Sequence, residues 1–284
     1  MGAGGKNRLF SDQSAARRLA AGRGQAMKEI HSADNKNYKL CVRLKRKKYR
    51  DQYGLYLIEG EHLLEEAAKR GARPRAIFVR QGLAFVERPG FPEPFALSGA
   101  LFKNLTQTEA SQGVVAAVEA EAWTEERFFE ACAGKNILLL DRIQDPGNLG
   151  TMVRTAEAAG YGGVMLLKGT GDVYGAKSAR AAAGSVFSMP VLPVSAPEEA
   201  LRMLRESGRK TVGACFDTER AYDQGDLENG IALMIGNEGA GLCGPLAEGA
   251  DVKVRIPMEN GVNSLNASVA AGILMYESRR KDRV

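Results

Sequence analysis

Histidine is almost absent from this chain of 284 residues, which contains only His31 and His62. Histidine is the side chain best suited to act as a general base near neutral pH, and it is the commonest metal ligand. Both histidines lie in the N-terminal third, away from the three polar motifs of the second half. Histidine-based triads and most histidine-ligated metal sites are therefore excluded, and any chemistry must use Arg, Glu, Asn and Ser.

Cysteine is also scarce, and no two cysteines form a C-x-x-C pair, because the four lie far apart: Cys41, Cys132, Cys215 and Cys243. This spacing argues against structural zinc and favours reduced thiols, so we expect a cytoplasmic protein without a bound metal.

Long apolar runs are missing as well. No run approaches the ~20 residues of a membrane span, and the N-terminus lacks the apolar segment of a secretory signal. We expect no contact with a membrane.

Positive charge is concentrated at one end. Residues 1–50 hold 14 Lys/Arg and 3 Asp/Glu, whereas the remainder holds 25 Lys/Arg and 31 Asp/Glu. Such asymmetry is typical of a surface that faces nucleic acid, although a solvated basic tail is an alternative. The run 43–50 combines cations with Tyr49, an aromatic ring that can stack on bases. We predict RNA contacts at Arg43, Lys45, Arg46, Lys47, Lys48 and Arg50.

The chain divides into four parts by composition and apolar pattern. Residues 1–26 show no apolar period and are predicted to be a mobile extension. Residues 27–120 predict a small α/β domain, with a helix capped by Ser32 that runs through Arg50, a second helix at 62–70, and strands at 55–58, 76–79 and 114–118. Residues 121–135, which contain Trp123, are predicted to be a linker.

Residues 136–284 alternate between strand and helix patterns. The predicted strands are 137–140, 163–167, 191–194, 211–215, 231–235 and 252–256. This alternation indicates an α/β domain with a mostly parallel sheet covered on both faces. General topological rules predict an unknotted path through it.

Three polar segments interrupt this pattern, and we call them the first motif (145–156), the second motif (235–242) and the third motif (260–268). The first two each follow an apolar run, as expected for loops at the carboxyl ends of buried strands. The third places four small polar side chains at the start of the last helix. Ligand sites in α/β sheets lie at carboxyl ends of strands, so the motifs predict one composite site. An ordinary N-cap is the alternative for the third motif.

The loop 169–175 is a weaker signal. Its glycines partly match a dinucleotide-binding fingerprint, but the spacing is wrong by one residue, so we interpret it as a plain loop. The three polar residues that follow it are candidates for RNA contacts, and a plain helix face is an equal alternative: Lys177, Ser178 and Arg180.

In order, the motifs resemble those of the SpoU (TrmH-like) branch of the SPOUT RNA methyltransferases. The matching patterns are Asn-x-Gly-x-x-x-Arg at 148–154, Gly-Asn-Glu-Gly-x-Gly at 236–241 and Asn-Ser-Leu-Asn-x-Ser at 263–268. Residues 27–118 resemble the substrate-binding domain often fused ahead of it, which is similar to ribosomal proteins of the L30 type. The resemblance implies a deep trefoil knot at the C-terminal end and a homodimer formed through the second domain.

The resemblance also assigns roles. The catalytic set is Arg154, Asn148, Glu238, Ser264 and Asn266, and the residues that line the S-adenosylmethionine pocket are Ile235, Gly236, Ile256, Met258 and Leu265. Arg154 would either accept the ribose proton or position the target, and positioning is favoured because a guanidinium is hard to deprotonate. Capping of its helix is an alternative role for Asn148. Gly150 is expected to allow close helix packing.

The implied reaction is methyl transfer from S-adenosylmethionine to a ribose 2′-hydroxyl of RNA, with S-adenosylhomocysteine as product and no metal. Ribosomal RNA is the expected substrate, and transfer RNA is an alternative. A non-catalytic RNA-binding or ribosome-assembly factor is a second alternative. A nucleotide-dependent α/β enzyme of another kind lacks support, because the chain has neither a phosphate loop nor a dinucleotide motif.

Overall fold

The computed structural model describes residues 27–106, 111–224, 227 and 229–280. The predicted mobile extension at 1–26 lies outside the described residues. The first domain contains these elements: β1 (Lys28–Ile30), α1 (Lys36–Arg43), α2 (Lys47–Tyr53), β2 (Leu55–Glu59), α3 (Glu61–Lys69), β3 (Pro74–Arg80), β4 (Phe95–Leu97), α4 (Gly99–Leu105) and β5 (Val114–Glu119). They form a mixed sheet with strand order β1-β4-β3-β5-β2. The three predicted strands and the helix between them are confirmed.

The predicted single helix from Ser32 to Arg50 is wrong. It is two helices, and the first is capped by Asn35, whose side chain accepts hydrogen bonds from the N–H groups of Asn37 and Tyr38. The chain turns at 44–46, where Leu44 enters the core. The Arg50 guanidinium donates to the Leu44 carbonyl at 2.7 Å and so satisfies an acceptor that the first helix leaves open.

The second half contains α5 (Glu125–Ala131), β6 (Ile137–Leu140), α6 (Pro146–Ala158), β7 (Gly163–Leu167), α7 (Ala176–Ala181), β8 (Val191–Val194), α8 (Pro197–Glu206), β9 (Lys210–Ala214), β10 (Ile231–Ile235), α9 (Gly244–Gly249), β11 (Val252–Val254) and α10 (Ala267–Glu277). The strands form a second sheet in the order β11-β9-β10-β6-β7-β8, and each neighbouring pair is parallel. The predicted α/β fold with a mostly parallel sheet is confirmed. The trefoil knot and the L30-like character of the first domain stay predictions.

Helices cover both faces of the parallel sheet. Within β6, Leu138 and Leu140 pack on the side of α6 and α10, whereas Ile137 and Leu139 pack on the side of α5, α8 and α9. All four side chains are fully buried, as the continuous apolar run predicts. Residues 121–135, predicted as a linker, contain α5, whose Phe128 is fully buried against this sheet.

The two halves share a continuous core. Tyr56 of β2 lies 4.7 Å from the ring of Tyr174 and 6.4 Å from that of Phe187, both from the second half. Ion pairs from Arg50 to Asp172 and from Arg70 to Glu157 join the same surfaces. Within the described ranges, no helix combines the length and apolar character needed to cross a bilayer.

The packing of α6 against α7 confirms the expected role of Gly150. A Cβ atom there would lie 2.3 Å from the Ser178 carbonyl oxygen, so only glycine allows this approach. Ser178 is buried, which rules out the suggested contact with RNA. Arg180 lies 3.7 Å from Glu59 across the domain boundary.

Candidate active site

The first motif starts α6 through Asp145, whose carboxylate accepts a hydrogen bond from the Asn148 N–H at 2.7 Å. Asp145 is therefore the N-cap, and the alternative that Asn148 caps this helix is wrong. Because Asp145 satisfies the helix start, the side chain of Asn148 is left to bond the other motifs.

Side chains from all three motifs are joined by hydrogen bonds. Glu238 accepts from the Asn148 amide at 3.2 Å, and the Asn148 amide oxygen accepts from the Asn266 amide at 3.0 Å. Asn266 in turn caps α10 by accepting from the N–H groups of Ser268 and Val269. We call Glu238, Asn148 and Asn266 the amide relay. It brings together one predicted catalytic residue from each motif.

The carboxylate of Glu238 has an unusually rich set of donors. It accepts from the backbone N–H groups of Gln144 at 3.2 Å and Asp145 at 3.1 Å, in addition to Asn148. Partial burial raises the pKa of Glu238, but these hydrogen bonds together outweigh it and hold the pKa below its ordinary value. Glu238 is therefore an ionised anchor for the first motif.

The second motif folds back on itself just after β10. Asn237 and Gly241 exchange backbone hydrogen bonds of 3.0 and 2.9 Å, and the Asn237 side chain accepts from two further N–H groups in the turn. A Cβ atom on Gly236 would lie 2.0 Å from the Gly241 carbonyl carbon. Gly236 is thus required by the loop's own backbone, whatever else it contacts.

Asp141 and Arg142, which follow β6, were not predicted as site residues. Asp141 is fully buried and pairs with Arg142 at 2.8 Å, and it also accepts from the Cys243 N–H at 2.7 Å. Arg142 donates to the Gly241 carbonyl at 3.1 Å, so the pair holds the second motif against the end of β6. The available signal was their position directly after a buried apolar run, where site residues concentrate.

Two predicted catalytic residues lie outside the relay. Arg154 and Ser264 are both exposed, and neither side chain forms a hydrogen bond or ion pair with any residue that the structure describes. Arg154 precedes Thr155, which faces Gly272 of α10; a Cβ on Gly272 would lie 3.8 Å from the Thr155 methyl group. Arg154 is therefore open to a second molecule next to the α6–α10 contact.

Of the predicted cofactor residues, Ile235 and Gly236 lie at the end of β10, Ile256 and Met258 follow β11, and Leu265 precedes α10. Ile235 is buried, Ile256 and Met258 are half-buried, and Leu265 is 37% exposed. Within the described part of the chain, the backbone N–H and C=O groups of Ile256, Met258 and Leu265 form no hydrogen bonds. Apolar side chains beside free backbone donors and acceptors suit a flat, polar-edged group such as adenine.

Phe216 is a further residue that sequence reasoning missed. It follows β9, which lies between β10 and β11 in the sheet, and it is 67% exposed. Its only sequence signal is its place at the end of a strand predicted to reach 215. Among the described residues, no group of His, Cys, Asp or Glu has the arrangement of a metal site.

The six cations of residues 43–50, which we call the basic segment, differ in how available they are to bind RNA. Arg46 and Lys48 are exposed, Arg43 lies over the Tyr49 ring at 5.7 Å, and Lys47 pairs with Asp51 at 3.0 Å. Burial lowers the pKa of Lys45, which donates to backbone carbonyls of residues 104 and 106. The side chain of Arg50 is only 11% exposed because it pairs with Asp172.

Comparisons with known families match both halves of the chain. A model described as the SpoU rRNA Methylase family matches residues 135–276. A model described as the MRM3-like substrate binding domain matches residues 35–116.

Individual relatives match nearly the full length. A Bacillus subtilis protein named 23S rRNA (guanosine(2553)-2'-O)-methyltransferase RlmP is 37% identical over 255 residues, which cover 89% of this chain and 100% of that protein. The AdoMet-bound rRNA methyltransferase from Sinorhizobium meliloti has a TM-score of 0.77 and 30% identity, covering 89% of this chain and 98% of that one. The SpoU methyltransferase AviRb from Streptomyces viridochromogenes, in complex with AdoMet, has a TM-score of 0.80 and 29% identity, covering 88% and 98%.

Proposed function

The chain belongs to the SpoU rRNA methylase family, and we propose that it transfers a methyl group from S-adenosylmethionine to a ribose 2′-hydroxyl of ribosomal RNA. The resemblance seen in the three motifs is thereby confirmed. The observation that carries the proposal is the amide relay, in which Glu238, Asn148 and Asn266 hold the three motifs together. Polar groups joined at the carboxyl ends of parallel strands are typical of a ligand or reaction site, which favours an enzyme over a non-catalytic assembly factor.

The cofactor pocket is formed by Ile235, Gly236, Ile256, Met258 and Leu265. The support is that Ile256, Met258 and Leu265 combine partly exposed apolar side chains with unpaired backbone donors and acceptors among the described residues, while Ile235 and Gly236 end the neighbouring strand β10. Phe216 follows β9 at the same carboxyl end of the sheet, so we add it to the residues that line the cofactor pocket. When bound, S-adenosylmethionine supplies a methyl group on a cationic sulfur that already is a good leaving group, so the protein's task is mainly orientation.

The protein residues act on the RNA ribose. Arg154 contacts the target and stabilises the negative charge that develops on the 2′-oxygen as its proton leaves to solvent water, before that oxygen takes the methyl group. An arginine side chain is a hydrogen-bond donor with no acceptor, which favours charge stabilisation over proton removal. Glu238 is a poor proton acceptor because its donors lower its pKa, so it positions Asn148 instead. Ser264 and Asn266 orient the reacting groups from the third motif.

RNA binding belongs to the first domain, residues 27–120, with the extension 1–26 ahead of it and the catalytic domain at 136–284. The exposed cations Arg43, Arg46, Lys47 and Lys48 support this role. Lys45 and Arg50 contribute less, because both are engaged within the protein. The free cysteines suit a reducing compartment, which supports a cytoplasmic location.

We further infer a homodimer through α10. Its buried face packs Ala271, Leu274 and Met275 inward, yet Val269 and Tyr276 on the other side are 51% and 42% exposed. These two residues are seven apart and share a helix face, so they form an apolar stripe beside Arg154. Light scattering at micromolar concentration should give twice the chain mass, and a monomer mass contradicts the inference.

The experiment for the proposed function has two parts. Calorimetry without added metal should detect binding of S-adenosylmethionine and of S-adenosylhomocysteine, whereas no binding of either at millimolar concentration contradicts the proposal. Ribose-methylation mapping in RNA from cells with and without the gene should then show one lost site in ribosomal RNA. A lost site in transfer RNA identifies the alternative substrate, and cofactor binding without any lost site identifies an assembly factor.

A further inference from the structure

A groove at the junction of the two domains is not used by the proposed chemistry. It has a volume of about 530 Å³ and is bounded by Lys47 and Asp51 of α2, by Trp123, and by the loop 168–172 with the end of β8. We call it the junction groove. Its volume is within the range of pockets that hold small organic groups, including a nucleobase.

The junction groove shares a wall with the active site. The backbone of Arg142 donates to the Thr170 hydroxyl at 2.9 Å, and the Gly171 N–H donates to the Ile143 carbonyl at 2.8 Å. The Gln144 amide donates to the Gly169 carbonyl, while the Gln144 backbone binds Glu238. The loop 142–144 therefore separates the groove from the amide relay, because it bonds the groove wall on one side and Glu238 on the other.

Trp123 gives the groove an aromatic surface, and it is the only tryptophan in the sequence. Its ring is half-buried, with the Arg127 guanidinium 5.0 Å from the ring centroid, and Arg127 is held by Glu121 at 2.7 Å. The cation–π contact fixes the ring before any ligand arrives. Aromatic rings fixed in this way are the usual stacking partners of unpaired bases.

The charges around the groove favour a phosphate. Its acidic residues are neutralised within the protein, since Asp51 pairs with Lys47, Glu121 with Arg127 and Asp172 with Arg50. Lys168 is exposed at the rim, and its ammonium group has no ionic partner among the residues described. The groove thus presents an aromatic ring together with one available cation.

We propose that the junction groove binds an unpaired base of the RNA substrate, stacked on Trp123 with an adjacent phosphate at Lys168. The base belongs to the same strand as the methylated nucleotide, because only one loop separates the two sites. The proposal rests on the proposed function to the extent that the substrate is RNA. It adds a second recognition point, which selects targets whose neighbouring base is unpaired.

Tryptophan emission tests the proposal directly, because Trp123 is the single source of the signal. The full chain is titrated with a single-stranded oligouridine, with a perfectly paired RNA duplex, and with unmethylated ribosomal RNA, while filter retention measures binding in parallel. Stacking should change the emission with the oligouridine and the ribosomal RNA but not with the duplex. RNA retention with unchanged emission for all three overturns the proposal.

Variants supply the second readout. Trp123→Ala should raise the KM for RNA by about tenfold with little change in kcat, as expected for the loss of one base stack. Trp123→Phe keeps an aromatic ring, so its KM should stay close to the wild-type value. Lys168→Ala should lower the log–log salt slope by about 0.7, the value for one phosphate contact on a single strand. Lys135→Ala is the matched control, since this exposed lysine precedes β6 and so lies at the amino end of the parallel strands, opposite the groove.

The outcomes separate this proposal from the proposed function. An unchanged KM in Trp123→Ala and an unchanged slope in Lys168→Ala overturn the groove while leaving methyl transfer intact. A wild-type chain that binds no S-adenosylmethionine overturns the proposed function, yet the emission titration with oligouridine still decides whether the groove binds RNA. If Trp123→Ala does not fold, the emission titration and the salt slope of Lys168→Ala decide whether the groove binds a base.

Discussion

The two sheets of this protein use their polar residues in opposite ways. At the carboxyl edge of the parallel sheet, polar side chains bond one another, as in the contacts of Glu238 with Asn148 and of Asn148 with Asn266. Beside the mixed sheet, the cations of 43–48 mostly face solvent or make local pairs such as Lys47 with Asp51. The parallel sheet thus carries a preorganised site, and the mixed sheet carries a charged surface.

This difference predicts how each half responds to change. Hydrogen bonds in a fixed network depend on geometry, so small alterations at the parallel sheet should affect turnover. Contacts between exposed cations and phosphates depend on ionic strength, so changes beside the mixed sheet should affect RNA affinity and its salt dependence. Substitutions in each half can therefore test this division.

The largest effect is expected for Arg154→Ala. Loss of a group that stabilises the developing oxyanion should lower turnover by roughly 10²–10³-fold, while affinity for S-adenosylmethionine changes little. Single-turnover methylation and calorimetry measure the two quantities. Arg202→Ala, at an exposed arginine of α8, is the control. Near-normal turnover in Arg154→Ala would remove Arg154 from the catalytic set.

The combined change Arg43→Glu, Arg46→Glu and Lys48→Glu should act on the other half. We expect RNA affinity to fall by roughly ten- to a hundredfold and the salt slope to flatten by about 0.7 per lost phosphate contact. Cofactor affinity should not change. Full-length variants are needed, because the core of the first domain continues into the second. Equal slopes for variant and wild type would mean that the basic segment is only a solvated surface.

Asn148→Asp tests the relay itself. Its carboxylate would face that of Glu238, where an amide now donates at 3.2 Å, and the repulsion should raise the pKa values of the pair. Turnover at pH 8 should fall by about tenfold, equivalent to one lost hydrogen bond. Part of the lost turnover should return as the pH is lowered toward 6, because protonation of one carboxylate removes the repulsion. Asn148→Ala is the matched control, because its loss should not vary with pH.

The smallest effect is expected at the junction, where Glu157 accepts hydrogen bonds from Ser185 at 2.6 Å and from Arg70. Burial raises the pKa of Glu157, but the hydroxyl and guanidinium donors outweigh it, so the pKa lies below the ordinary 4.5. A lowered pKa stabilises the fold above the unfolded-state value and loses that contribution as the pH falls. Glu157→Gln should therefore cost about 1 kcal/mol at pH 7 and less at pH 4.

Urea unfolding at the two pH values measures this difference, with Glu130→Gln as a control at an exposed glutamate of α5. A loss of stability that is equal at both pH values would mean that the charge of Glu157 does not contribute.

The sequence predicted the parallel sheet well because its strands are continuous apolar runs, as in β6. It predicted less of the mixed sheet. Strands β1 and β4 have three residues each and pair with one another across 67 positions, so neither shows a periodic pattern. The break between α1 and α2 was missed for a related reason, since Leu44 ends the first helix by entering a core built from distant residues.

The site shows the same division. The motifs predicted Asn148, Glu238 and Asn266, and the structure joins them. The identity of the helix cap could not be predicted, because Asp145 and Asn148 are both good capping residues and only the geometry chooses between them. The role of Asp141 and Arg142 in holding the second motif could not be predicted either, since the contact between Arg142 and Gly241 joins residues 99 positions apart.

Asn266 follows all strands of both sheets in the sequence, which has a consequence for biosynthesis. Translation produces both sheets before it produces the third motif, and domains generally begin to fold in that order. The first domain, with its basic segment, is complete long before Asn266 can donate to Asn148. A ribosome that stalls or terminates after β11 would release a product without α10, which would lack both the third motif and the buried Ala271, Leu274 and Met275 of the core that the two halves share.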